Sequence, residues 1–161
     1  MERLWAPWRM QYVGVEQKPG CLFCRVIENP DDDEGDLVLW RPAGAIVMLN
    51  KFPYNPGHAI VAPHKHTSTF EDLDDAKSLD LMRAQQRTLS VIRAVMEPDG
   101  FNVGANLGRP AGAGIPDHVH FHLVPRWNGD TNFMAVIDDV KIVNEALTQT
   151  SAKLRRAFAA T

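Results

Sequence analysis

Two cysteines in 161 residues are too few for the disulfide framework of a small secreted scaffold. No apolar run approaches the roughly 18 consecutive residues of a membrane span. The opening Met1-Glu2-Arg3-Leu4-Trp5-Ala6-Pro7-Trp8 also has no apolar signal core. The expected location is therefore the cytoplasm, without a membrane partner. A basic excess is missing as well: 17 Lys and Arg face 20 Asp and Glu, a balance of −3. That argues against a chain that grips duplex nucleic acid through its phosphates, and leaves room for a small phosphate-bearing ligand. There is no internal repeat. What is present, 45% hydrophobic and 23% charged residues, is the composition of an ordinary globular chain, and the length suits one domain over residues 1–161.

The first 36 residues read as irregular, punctuated by Pro7, Gly14, Pro19, Gly20 and Pro30 and followed by the acidic loop Asp31-Asp32-Asp33-Glu34-Gly35. Short apolar runs at Leu37–Trp40, Ala45–Leu49 and His58–Ala62, separated by Pro/Gly turns, predict strands. From Leu73 to Met96 the period changes. Leu73, Ala76, Leu79, Met82, Leu89, Ile92 and Met96 recur at helical steps, which predicts one long amphipathic helix capped by Asp72 or Asp74, with that stripe in the core. Extended segments are expected at Phe101–Leu107 and His118–Pro125 around a Gly/Pro-rich loop, and a second helix over Val140–Phe158. Strands, a helix, more strands and a final helix make an α+β fold with an antiparallel sheet.

The chemistry concentrates in histidine. Of six histidines, three alternate with large apolar residues in His118-Val119-His120-Phe121-His122. In a strand, successive side chains point to opposite faces, so the three imidazoles share one face with Cα atoms about 6.5–7 Å apart. Such a row can surround one phosphate or one metal ion. Imidazole has a reference pKa near 6.5 and is largely neutral at pH 7, so its free nitrogen can attack phosphorus when the other nitrogen is held by a hydrogen bond.

Cys21-Leu22-Phe23-Cys24 taken alone suits zinc, dithiol chemistry or an iron–sulfur cluster. A redox pair belongs in a βαβ setting, which is missing, and a cluster needs four thiolates. Zinc needs only two more nitrogens.

The segment His118-Val119-His120-Phe121-His122-Leu123-Val124 resembles the signature of the histidine triad (HIT) family of nucleotide hydrolases and transferases. The likeness extends to Asn50-Lys51-Phe52-Pro53-Tyr54-Asn55-Pro56-Gly57-His58-Ala59-Ile60-Val61-Ala62-Pro63 and to Gly100-Phe101-Asn102-Val103-Gly104. It reaches the ends of the chain through Leu4-Trp5-Ala6-Pro7-Trp8-Arg9-Met10 and Pro125-Arg126-Trp127-Asn128-Gly129-Asp130-Thr131-Asn132-Phe133. Those segments are similar to the bacterial, Fhit-related branch that contains diadenosine polyphosphate phosphorylases. The resemblance implies a homodimer with one continuous antiparallel sheet and a nucleotide substrate. It implies His120 as the nucleophile at the α-phosphorus, with His122 and His118 completing the catalytic set. Asn50 would contact the ribose and Asn106 the phosphate. Backbone N–H groups of Gly112, Ala113 and Gly114 would assist, and Trp127 would pack over the substrate. A structural Zn²⁺ on Cys21, Cys24, His66 and His118 is implied too, while His64 is expected to face solvent and His58 to pack in the sheet. Where many members carry Gln, Ser or Thr just before the triad, this chain has Ala113-Gly114-Ile115, which leaves phosphate or water as the acceptor. Two other activities fit the same residues: hydrolysis of nucleoside phosphoramidates or aminoacyl adenylates, and a zinc-stabilised nucleotide-binding module without turnover.

Overall fold

Consecutive apolar residues, rather than alternating ones, mark strands covered on both faces, and here that pattern builds the centre of a sheet. The computed structural model describes residues 20–33, 35, 37–130 and 145–160. In chain order its elements are α1 (Leu22–Glu28), β1 (Val38–Trp40), β2 (Ala45–Leu49), β3 (Ala59–Pro63), α2 (Asp75–Met96), β4 (Gly100–Gly104), β5 (Phe121–Arg126) and α3 (Leu147–Ala159). The five strands form one antiparallel sheet in the order β1-β2-β3-β5-β4. This is the α+β architecture that the sequence pattern predicts.

Every residue of β2 and β3 is buried. On one face Val47, Leu49, Ala59, Val61 and Leu123 pack against α2 and α3 through Leu81, Ala84, Ile92, Leu154 and Phe158. On the other, Ile46, Met48, Ile60 and Ala62 pack against Phe23 and Val26 of α1. Burying one such side chain stabilises by about 1.5–3 kcal/mol, and Phe23 and Val26 are the two residues of α1 buried in this way. The register sets His122 opposite both Ile60 and Gly104, on the same face as α1. The turn from β2 into β3 ends at Gly57, whose φ of +77° favours glycine and where an added Cβ would lie 2.6 Å from the Met96 sulfur.

Several boundaries differ from expectation. The segment read as irregular contains α1, which seven residues are too few to reveal by periodicity; residues 1–19 lie outside the described part. β5 begins at Phe121, not His118, because Val119 donates its N–H to the Thr67 carbonyl (2.7 Å) in the loop after β3 and so leaves the ladder. β4 ends at Gly104, where its pairing with His122 stops, instead of running to Leu107. His58 precedes β3 rather than opening it. The last helix starts at Leu147; residues 140–144 of the expected Val140–Phe158 span lie outside the described residues.

In α2, Asp74 is the cap, accepting from the Lys77 N–H at 2.9 Å, while Asp72 accepts from Thr67 Oγ1 instead. The buried stripe is Leu81, Ala84, Gln85, Thr88, Val91 and Ile92. Leu79 and Met82, expected in the core, are about half exposed at 49% and 50%. Two polar residues displace them because their donors stay inside the helix: Gln85 Nε2 bonds the Leu81 carbonyl and Thr88 Oγ1 the Ala84 carbonyl. Among the described residues, no helix is long and apolar enough to cross a membrane.

Candidate active site and metal centre

Phe23 and Val26, both at 0% exposure, fix α1 on the sheet, and Phe23 lies between two of the histidines, 5.0 Å from the ring of His118 and 5.0 Å from that of His120. Cys21 is the residue before the first turn and Cys24 lies three residues on, so both thiols come to one side of α1. That side meets His118. Cys21 Sγ is 3.3 Å and Cys24 Sγ 3.7 Å from His118 Nδ1, and Cys24 Sγ is 3.2 Å from His66 Nδ1. The four donor atoms all lie within 4.8 Å of one another.

The donor chemistry fits a tetrahedral ion. Zinc bonds of ~2.3 Å to sulfur and ~2.0 Å to nitrogen give tetrahedral edges of about 3.6 Å, close to the separations just given. His118 is presented in the ligating form: its Nε2 lies 2.9 Å from the Pro63 carbonyl, which only accepts, so Nε2 carries the proton and Nδ1 keeps its lone pair toward the thiols. Burial lowers the pKa of His118, opposed by the Pro63 carbonyl. Burial and the neighbouring Cys21 raise the Cys24 thiol to about 11. A bound divalent cation reverses that preference and holds thiolates.

His118 also leads to the second histidine. Its carbonyl lies 2.9 Å from His120 Nδ1, so Nδ1 donates and the lone pair of His120 sits on Nε2. His120 is 4% exposed, and burial lowers its pKa against the opposing bond to the His118 carbonyl. A neutral imidazole with its lone pair on one defined nitrogen is a form suited to nucleophilic attack.

The third histidine is oriented from elsewhere. The Tyr54 N–H donates to His58 Nδ1 (3.1 Å), which forces the His58 proton onto Nε2. His58 Nε2 in turn stands 3.0 Å from His122 Nδ1, so His122 accepts there and carries its own proton on Nε2. A backbone amide thus sets two tautomers in series. Burial, then the neighbouring His122 and His120, lower His58 to about 3; burial, then His120, lower His122 to about 4. His58 is fully buried, and sequence reasoning gave it only a packing place. The signal was absent from the pattern, since contact with His122 depends on the Ile60–His122 register.

The remaining candidates separate. Asn50 stands beside the relay, with Nδ2 3.4 Å from His58 Nδ1 and Oδ1 accepting from the Phe52 N–H at 2.9 Å. Asn106 and His122 line one hollow of about 480 Å³, together with Tyr54, Asn102 and Arg126, and Asn106 Nδ2 also approaches the Gly112 carbonyl at 3.4 Å. The N–H groups of Gly112 and Ala113 turn back to the carbonyls of Arg109 (3.0 Å) and Gly108 (3.3 Å), so the loop consumes two of the three expected donors and Gly114 is the one left outward. Trp127 lines a different hollow, of about 450 Å³, beside Asn55, Met96 and Glu145. His64 is exposed, as expected.

Residues 34–129 match the family model described as HIT domain. The chain is 40% identical over 99% of its length, and 85% of the relative's, to an AP-4-A phosphorylase of Mycobacterium tuberculosis. It is 31% identical over 67% of its length, and 75% of the relative's, to an adenosine 5'-monophosphoramidase of Schizosaccharomyces pombe. Its fold superposes with a TM-score of 0.68 at 25% identity on a Zn-bound histidine triad family protein from Mycobacterium smegmatis, covering 88% of this chain and 94% of that one. With the triad's tautomers fixed in the fold and these likenesses spanning nearly all of it, the chain belongs to the histidine triad family.

Proposed function

We propose that this chain is an enzyme that cleaves dinucleoside polyphosphates at the α-phosphate by transferring a nucleotidyl group to His120. The single observation that carries the reading is the 2.9 Å contact between His120 Nδ1 and the His118 carbonyl, which leaves Nε2 as the attacking atom. In the first step His120 Nε2 forms a bond to the α-phosphorus while the bond from phosphorus to the bridging oxygen breaks, and the rest of the chain leaves as a nucleoside polyphosphate. His122 offers its Nε2 proton to the phosphate oxygens as charge builds on them. In the second step water or inorganic phosphate attacks the same phosphorus and frees His120. Asn50 serves the ribose, and Asn106 with the Gly114 N–H serves the phosphate. Trp127, which faces the other hollow, supports the turn around Asn55 rather than the substrate.

Cys21, Cys24, His66 and His118 would hold a structural zinc, which supplies folding energy and rigidity and takes no part in the transfer. The likeness to an AP-4-A phosphorylase favours phosphate as the acceptor. The likeness to an adenosine 5'-monophosphoramidase supports a second reading, in which the same intermediate forms from a nucleoside phosphoramidate. The test is incubation with diadenosine tetraphosphate, with and without labelled phosphate, alongside adenosine 5'-phosphoramidate. Phosphorolysis gives ADP carrying the label plus ATP; hydrolysis gives AMP plus ATP. Turnover of the phosphoramidate alone would replace the first reading with the second, and turnover of neither would overturn both.

A further inference from the structure

We propose that Arg126 and Asn102 form a subsite for the departing polyphosphate, and that this subsite makes the enzyme select a chain of phosphates over a one-atom leaving group. The inference rests on the reading of His120 as the nucleophile and adds where the leaving group goes. His122, Val124 and Arg126 share one face of β5, and Asn102 and Gly104 of β4 stand opposite Val124 and His122 on that face. Gly104 leaves the floor bare, since a Cβ there would meet nothing within 4 Å. The result is a hollow of about 480 Å³ that begins at His122 and ends at Arg126.

The cation at its far end is built in. Arg126 Nε and Nη2 bond Asp130 at 2.6 and 2.8 Å, and Nη1 bonds Asn102 Oδ1 at 2.8 Å. Asp130 is itself held by Asn55 Nδ2 (2.7 Å) and the Trp127 N–H (3.2 Å). Asn55, 2% exposed, is tied in turn to the Pro125 carbonyl at 2.8 Å. A guanidinium has five N–H groups; these bonds use three, leaving one on each Nη, and the side chain is 41% exposed. Those two N–H groups are donors of the kind that phosphate oxygens accept.

Distance decides what can reach it. The bond to Asn102 brings the guanidinium to the level of Val124, about 7 Å beyond His122 along the strand. The amine of a phosphoramidate ends at the reacting phosphorus, whereas the second and later phosphates of a polyphosphate extend toward Arg126. Binding energy gained there lowers the barrier only for the longer leaving group.

Two variants test this. Arg126→Gln removes the cation, and Asn102→Asp sets a carboxylate beside it on an exposed strand while keeping the Arg126–Asp130 pair. In each, the ratio of kcat/KM for diadenosine tetraphosphate over that for adenosine 5'-phosphoramidate should fall at least tenfold. The dissociation constant for inorganic tripolyphosphate, measured by calorimetry, should rise at least tenfold in Asn102→Asp. A ratio and a tripolyphosphate affinity both unmoved in Asn102→Asp would overturn the subsite. A wild-type protein that cleaves neither substrate, yet loses tripolyphosphate binding on the Asn102→Asp change, would keep the subsite and discard the nucleotidyl-transfer reading.

Discussion

The face of the sheet that bears the histidines has two halves built on opposite terms. Over β1, β2 and β3 it is sealed by α1, with Phe23 and Val26 fully buried against Ile46, Ile60 and Ala62. Over β5 and β4 it is bare, with glycines at both ends of β4 and the exposed Asn102 between them. The sealed half holds the cysteines and His118, and through the His118 carbonyl it fixes His120. The bare half holds the hollow lined by His122, Asn102, Asn106 and Arg126. Rigid packing on one side therefore orients His120, and lack of packing on the other leaves a hollow open.

The largest effect should come from the residue where the halves meet. His120→Ala should lower turnover of diadenosine tetraphosphate at least about a thousandfold while calorimetry still detects nucleotide binding, because a nucleophile acts in the chemical step more than in ground-state affinity. A variant that keeps more than about a tenth of the activity would separate the chemistry from this histidine.

Next in size are changes that unseal the covered half. Truncating a fully buried phenylalanine costs about 3–5 kcal/mol, so Phe23→Ala should lower Tm by many degrees. Elemental analysis should find one zinc per chain, and Cys24→Ala or a strong chelator should remove it and lower Tm as well. If the metal content stays below about one-tenth in replete medium, the cluster is a set of reduced thiols and imidazoles instead. A Cys24→Ala protein with unchanged melting but altered substrate preference would reverse the assignment of the two halves.

What the sequence reveals divides along the same line. The strands of the sealed half are legible because runs such as Ala45–Leu49 are apolar throughout, and Cys21 and Cys24 because Cys-x-x-Cys has few chemical uses, whereas His66 and His118 are named only through the family resemblance. The alternation from His118 to His122 is legible as a period of two, but only Phe121 and His122 of it lie in β5, because Val119 bonds the Thr67 carbonyl instead of the ladder. Whatever depends on a neighbour is not legible. His58 acquires its role only through the pairing of Ile60 with His122. Gln85 and Thr88 enter the core only because α2 satisfies their donors internally. The loop of Gly112 and Ala113 was read as a source of donors because glycine permits close approach, but its own turn takes those N–H groups.

A smaller effect should appear with pH. His58 is held at about 3 by burial and by His122 and His120, and His122 at about 4 by burial and by His120, against an ordinary value of 6.5. Between those values and 6.5 the unfolded chain binds protons that the folded chain refuses, so stability is full above pH 6.5 and falls as the pH drops toward 4. Each group contributes up to about 1.4 kcal/mol per pH unit within its window. Denaturant unfolding between pH 7 and 4 should show this slope, and His58→Gln should make it shallower. An unchanged slope in that variant would place the acid sensitivity elsewhere.

The smallest expected effect on the fold of one chain lies at the bare half's outer border. The strand order leaves β1 and β4 at the edges, and they are treated differently. β1 is backed by α3, with Trp40 stacked on Phe158 at 5.5 Å, whereas β4 presents Val103 at 47% exposure, close in sequence to Leu107 at 45%. Leu79 and Met82 of α2, displaced from the core, add to the apolar surface. An open edge with exposed apolar residues invites pairing with another strand, and two copies joined antiparallel through β4 would extend the sheet across both chains. Sedimentation equilibrium should give about twice the 18.0 kDa chain mass. Val103→Glu should shift that equilibrium to single chains with little loss of Tm, because Val103 contributes no buried core contact of its own. A wild-type protein that remains a single chain at micromolar concentration would show that the bare half ends at β4 without a second copy.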